Sequence, residues 1–109
     1  WNVSNVTSMS NMFFGSTSFD QNLSAWDIAN VTAFTNFAKN TTFSTSNYDA
    51  ILIGWEATLQ AAFSNGSGYT PTISINFGNS EYTGGAAAAA ARTSLINNFN
   101  WTITDGGIA

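Results

Sequence analysis

The chain has 109 residues, 44% of them apolar, enough for one domain or part of one. Only Lys39 and Arg92 are basic against six acidic residues, a net charge of −4, so no basic patch exists to displace counterions from nucleic acid or to hold anionic lipid. Cys and His are absent, which excludes disulfides, thiolate metal sites and Ser–His or Cys–His catalysis, and no apolar run reaches the roughly 18 residues that would cross a membrane.

The first 25 residues, Trp1–Ala25, are repeated from Trp26. Trp1 falls on Trp26, Val3 on Ile28, Asn5 on Asn30, Val6 on Val31 and Thr7 on Thr32, followed by Met9 on Phe34, Asn11 on Asn36 and Met12 on Phe37. A period of this size is the mark of a solenoid. Alternation makes Trp1 and Val3 a short strand entering a core, with Val6 a further candidate. Thr7 and Thr32 stand where helix N-caps would, ahead of Met9, Met12 and Phe13 in one copy and Phe34, Phe37 and Ala38 in the other. That spacing predicts one or two helical turns with an apolar face. Phe19 and Phe43 then return an aromatic ring to the core from loops. Leu23-x-x-Trp26-x-Ile28 follows the leucine-rich-repeat strand pattern, with Trp in a Leu position.

Residues 47–64 predict an amphipathic helix, started by Ser46 and Asp49, with Ile51, Trp55, Leu59 and Phe63 on one face. Gly54 weakens it by roughly 1 kcal/mol relative to Ala. Thr72–Phe77 is the clearest strand, with Ile73, Ile75 and Phe77 on one side. Gly78–Gly85 reads as a loop. A run of six alanines, Ala86–Ala91, leads into Leu95, Ile96 and Phe99 and predicts a further helix. Trp101-Thr-Ile-Thr repeats the Trp-x-Ile signature of the second copy, closed by Asp105-Gly-Gly. Aligning Val3, Ile28, Ile75 and Ile103 as successive strand centres predicts four parallel rungs joined by crossovers on one side. The expected fold is therefore α/β: a leucine-rich-repeat-like solenoid, a short parallel sheet with helical crossovers and a helix-rich C-terminal cap. Residues 1–46 form two repeats, and residues 47–109 form a terminal unit continuing the same solenoid.

The repeats resemble those of BspA-like leucine-rich-repeat surface proteins of bacteria, whose units run close to W-D-V-S-N-V-T-x-M-x-x-M-F-x-G-A-x-x-F-N-Q-x-L-S. Trp1, Val3, Ser4, Asn5, Val6, Thr7, Met9, Met12, Phe13, Gly15, Phe19, Gln21, Leu23 and Ser24 match in the first copy. Trp26, Asp27, Asn30, Val31, Thr32 and Phe43 match in the second, with Phe34 and Phe37 replacing Met. The tail from Asn47 is similar to the region that closes such arrays in some large secreted proteins, apart from its alanine run. The resemblance implies a cell-surface or secreted protein with a role in adhesion or matrix contact, and no catalytic residues.

Carboxylate pairs at Asp20/Asp27 and Asp49/Glu56 are the only material for acid–base chemistry, and capping and surface charge explain them more simply. Asp105-Gly-Gly and Gly78–Glu81 could offer oxygens to a cation, but turn chemistry accounts for both. No metal, cofactor or catalytic residue is assigned. Asn5 and Asn30 suit a ladder of side-chain amides bonding to neighbouring rungs. Candidate binding or assembly residues are Trp1 and Val3, at an upstream face expected to expose apolar edges and unpaired backbone, and Tyr48, Tyr69 and Tyr82, placed in loops or at a helix start where a ring can stack on a sugar or a partner.

The expected function is an extracellular adhesion or protein/glycan interaction module without catalysis. Its partner would be a host or matrix protein, a glycan or itself, with no nucleic acid and no membrane insertion. The alternative is a structural subunit of a surface fibre, assembling head-to-tail through the uncapped first repeat. A carbohydrate-active enzyme ranks third for want of a convincing acid/base pair. No leader is visible in these residues, so an export signal is expected upstream of Trp1 or already removed.

Overall fold

In both repeats an asparagine breaks the extended chain. Asn11 and Asn36 have φ of 60° and 54°, the left-handed region that Asn tolerates better than most residues. Each sits inside a run of turns held by i→i+3 bonds, such as Met12 N–H to Met9 O and Phe37 N–H to Phe34 O. The computed structural model, which describes residues 1–109, therefore has neither helix nor regular strand before Thr45. The turns lie one on the other. The N–H groups of Met9, Asn11, Phe13 and Gly15 donate to the carbonyls of Ala33, Thr35, Phe37 and Lys39 at 2.8–2.9 Å. Only Ser8 and Ala33 form a parallel bridge between the copies.

Helix α1, Thr45–Ala62, follows. Its cap is Ser44, whose hydroxyl accepts the Asn47 N–H, rather than the expected Ser46 and Asp49. Tyr48, Ile51, Leu52, Trp55 and Leu59 form its buried face. A 3-10 turn at Ser64–Gly66 leads to strand β1, Ser74–Asn76, flanked by buried Ile73 and Phe77. Strand β2, Glu81–Tyr82, lies in the segment that reads as a loop. Helix α2, Ala87–Phe99, buries Ala88, Ala91, Leu95 and Phe99, and the small alanines let it pack closely beside α1. It ends at Asn100, again left-handed at φ 59°. Strands β3, Thr102–Thr104, and β4, Gly107–Ile108, complete the chain. β3 pairs parallel with β1, setting Ile75 against Ile103, the two residues aligned from the sequence. β4 pairs parallel with β2.

These observations overturn the expected leucine-rich-repeat-like solenoid. No sheet runs through four rungs: there are two separate two-stranded sheets, and Val3 and Ile28 belong to no strand. The two predicted repeat helices are turns. The body measures 35 × 31 × 22 Å, without a long axis. The left-handed asparagines stop strand and helix alike in the first 44 residues, and the long α1 folds back over the repeats to share one core with them.

That core is aromatic. Trp55 is buried against Phe34 at 5.5 Å, Phe37 at 5.7 Å, Phe77 at 6.1 Å and Trp101 at 6.4 Å between ring centroids. Its indole N–H donates to the Leu23 carbonyl at 2.9 Å, tying α1 to the first repeat. Gly54 makes this approach possible. A Cβ there would lie 2.8 Å from Ser24 Cβ and 3.0 Å from the Ser24 carbonyl carbon. Gly54→Ala consequently costs about 1–2 kcal/mol net, because overpacking against backbone outweighs the helix propensity gained. Urea denaturation of the two proteins checks the sign, and a stabilised Gly54→Ala would contradict the packing.

Candidate functional site

Two places concentrate chemistry, at opposite ends of the sequence. The first is built by the repeats. Trp1 is 86% exposed and stacks on Trp26, centroids 5.7 Å apart and planes 22° from parallel. Phe13 stacks on Phe19 at 3.9 Å and tilts against Trp26 at 6.1 Å. Between them opens a groove of about 250 Å³ lined by Trp1, Phe19, Gln21, Leu23 and Trp26. Its walls are aromatic and aliphatic, with one uncharged amide. Such a groove takes a flat apolar face and offers a hydrogen bond beside it. Val3, expected at this edge, is buried and does not line the groove.

The second place is a polar cluster that sequence reading passes over as turn chemistry. Asp105 follows β3 and turns inward, leaving 3% of its side chain exposed. Its Oδ2 accepts from the Tyr48 hydroxyl at 2.6 Å and Arg92 Nε at 2.9 Å. Its Oδ1 accepts from Arg92 Nη2 at 3.2 Å and the Gly107 N–H at 3.0 Å. The Arg92 guanidinium also lies over the Tyr82 ring, 5.0 Å from its centroid. One carboxylate thus joins α1, α2, β3 and β4, with both of its oxygens paired. Burial acts against the charged guanidinium, but the bonds and charge of Asp105 outweigh it, and the Arg92 pKa is raised. Burial pushes the Tyr48 hydroxyl far above its usual range, and the bond to Asp105 adds to this.

The tyrosine candidates do not converge on one site. Tyr48 is wholly buried. Tyr82, half-buried, sits under Arg92. Tyr69, half-buried between Phe63 and Phe99, accepts the Trp101 indole N–H at 3.0 Å. Its hydroxyl is pushed up by burial, against the lowering effect of that bond. The carboxylates are likewise committed to structure. Asp49 accepts the Thr83 N–H and hydroxyl at 2.9 and 2.7 Å, and Glu56 accepts the Ser94 hydroxyl at 2.9 Å. Asp27 accepts the Ala29 N–H. Asp20 accepts from the Asn47 amide and the Ser44 N–H, which hold its carboxyl below the usual range. No three acidic side chains converge as metal ligands would. Asn30 does bond across the repeats, to the Ser4 carbonyl at 2.9 Å. No helix is long and apolar enough to cross a membrane.

Among known proteins, a family model described as Mycoplasma protein of unknown function, DUF285, matches residues 1–74. No curated protein and no solved structure matches the chain.

The polar cluster sets the alkaline behaviour. Folded Tyr48 holds its proton more tightly than unfolded Tyr48, so its contribution is complete below the ordinary value of 10.0 and is lost as pH rises above it. Tyr48→Phe is expected to cost about 1.5 kcal/mol at neutral pH and to flatten the loss of stability above about pH 10. Denaturation midpoints taken from pH 7 to 11 test this, and an equally steep alkaline decline in both proteins would contradict it.

Proposed function

The chain belongs to the DUF285 family, and from that premise we propose that it is an extracellular interaction module of a bacterial surface or secreted protein, acting in adhesion and not in catalysis. The family is related to BspA-like surface repeat proteins, and the match spans both repeats and α1. The observation that carries the proposal is the exposed Trp1 ring, stacked on Trp26 over the groove of the first repeat. An indole held in place by a second indole is a preorganised surface that loses little freedom when a ligand covers it. Trp is also among the residues most often found to dominate binding energy at interfaces. Gln21 supplies the polar contact that would orient a sugar ring or a peptide group on the platform. Surface charge contributes little: of the two cations, Arg92 is paired with Asp105 and only Lys39 stands free.

Arrays of glycans and of extracellular-matrix proteins test the reading. The wild-type chain is expected to give discrete positive signals that fall at least tenfold in Trp1→Ala, with the unfolding midpoint unchanged because that ring is almost entirely exposed. Blank arrays, or signals indifferent to Trp1→Ala, would count against it.

A further inference from the structure

The outer side of the β1–β3 sheet carries a polar trough. Ile73, Ile75 and Phe77 are buried in the core, so the alternate residues Ser74 and Asn76 stand on the opposite side of the strand. The parallel register sets Thr102 beside Ser74 and Thr104 beside Asn76. Two cavities of about 180 and 230 Å³ lie along these pairs and share Asn76 and Thr104. Thr35 and Asn36 of the second repeat wall the first, and Lys39, Asn40 and Asn79 wall the second. Joined, they reach the size of a small-molecule site, which begins at about 300 Å³. The one apolar lining residue, Ile75, is itself buried.

The polar groups of the trough are free. The hydroxyls of Thr35, Ser74, Thr102 and Thr104 and the side-chain amides of Asn40 and Asn79 bond to nothing in the chain. Those of Thr41, Ser80 and Ser94, by contrast, serve the fold. The backbone N–H groups of Asn40 and Asn79 have no acceptor either. The turn after β1 is fixed against the second repeat: Gly78 is left-handed at φ 64°, and a Cβ there would collide with the Thr41 carbonyl oxygen. Lys39 stands at this end without an ion pair, since the one salt bridge joins Arg92 to Asp105. Asp105 lines the same end, its charge already matched by Arg92.

We propose that this trough binds a short oligosaccharide bearing an anionic group, a uronate carboxylate or a sulfate ester, with that group at Lys39 and the sugar hydroxyls along Ser74, Thr102 and Thr104. Hydroxyls and amides donate and accept alike, as sugar hydroxyls do, so the lining matches a polyhydroxylated chain. Lys39 offers one compact charge to one anionic group. A peptide would find no apolar lining to cover its apolar side chains, and the repeated phosphates of a nucleic acid would meet a single cation. The trough shares no lining residue with the groove at Trp1, so this site stands apart from the one proposed there.

The test uses the full 109-residue chain, isotopically labelled, titrated with tetramers of galacturonic acid, of sulfated galactose and of galactose, and with hexaglutamate. Saturable amide shifts are expected at Lys39, Asn40, Ser74, Asn79, Thr102 and Thr104 with at least one acidic tetramer, about tenfold tighter than with the neutral one. Which acidic tetramer binds more tightly identifies the anionic group. Lys39→Gln should bring the acidic tetramer down to the affinity of the neutral one. Thr104→Val should weaken both several-fold. Neither side chain bonds to the rest of the chain, so the unfolding midpoint should stay in place in both variants. No saturable binding of either acidic tetramer, shifts gathered at Trp1 and Trp26 instead, or an affinity indifferent to Lys39→Gln would overturn the proposal. So would hexaglutamate binding as tightly as the acidic tetramers, which would make the site a reader of charge alone. Trp1→Ala should leave tetramer binding unchanged. Tetramer silence beside array signals that depend on Trp1 would remove this site alone, and tetramer binding beside blank arrays would remove the Trp1 groove alone.

Discussion

The structure depends on the place where α1 crosses the first repeat. Trp55 donates its indole N–H to the Leu23 carbonyl, and its neighbour Gly54 leaves room for the Ser24 backbone. Two adjacent helix residues thus fix two adjacent loop residues, one by a hydrogen bond and one by lacking a side chain. The Trp55 ring then meets aromatic rings from the second repeat, from the end of β1 and from the start of β3. A buried indole N–H without an acceptor costs about 1–3 kcal/mol, so the Leu23 carbonyl is required wherever Trp55 is buried. Repeats and C-terminal half consequently share one core of 24 buried apolar residues rather than standing as stacked modules.

This coupling explains how the exposed groove keeps its form. A segment of 44 residues without helix or strand would ordinarily be mobile. Here its inner side is held by Phe34, Phe37 and Phe43 in the core, and Asp20 bonds to Ser44 and Asn47 where α1 begins. The Trp1–Trp26 platform is the outward side of that anchored segment. The polar cluster of Asp105, Arg92 and Tyr48 does the same for the far end, fastening β3 and β4 to both helices. One of the two cations of the chain is thereby committed to an internal bond.

Elements whose signal is local were legible in the sequence. The apolar spacing of Ile51, Trp55 and Leu59 marked α1, and the alternation of Ile73, Ile75 and Phe77 marked β1. The alanine run with Leu95 and Phe99 marked α2, and the 25-residue offset anticipated which positions of the two copies lie together, as at Ser8 and Ala33. The solenoid that the same period implies is absent from the fold. A repeat period says that units pack on one another, but not that each contains a strand, and Asn11 and Asn36 enter conformations that an apolar pattern does not register. Their shared position in the two copies was the available signal. The Tyr48–Asp105–Arg92 cluster was hidden because it joins residues 57 and 13 apart, with no spacing rule to connect them. Tyr48 therefore read as a surface ring when its hydroxyl is the buried partner of a carboxylate.

The central claim is that Trp55 locks the repeats and the C-terminal half into one cooperative body, with the outer edge of the first repeat held in place from beneath. Hydrogen exchange of the Trp55 indole N–H, measured with the amides of Met9, Asn11, Phe13 and Gly15, tests it most directly. The account predicts that all five exchange only through global unfolding, with a common free energy that shifts together in mild urea. Amides of the first repeat exchanging orders of magnitude faster than the indole, with no urea dependence, would show the repeats opening on their own and would contradict it.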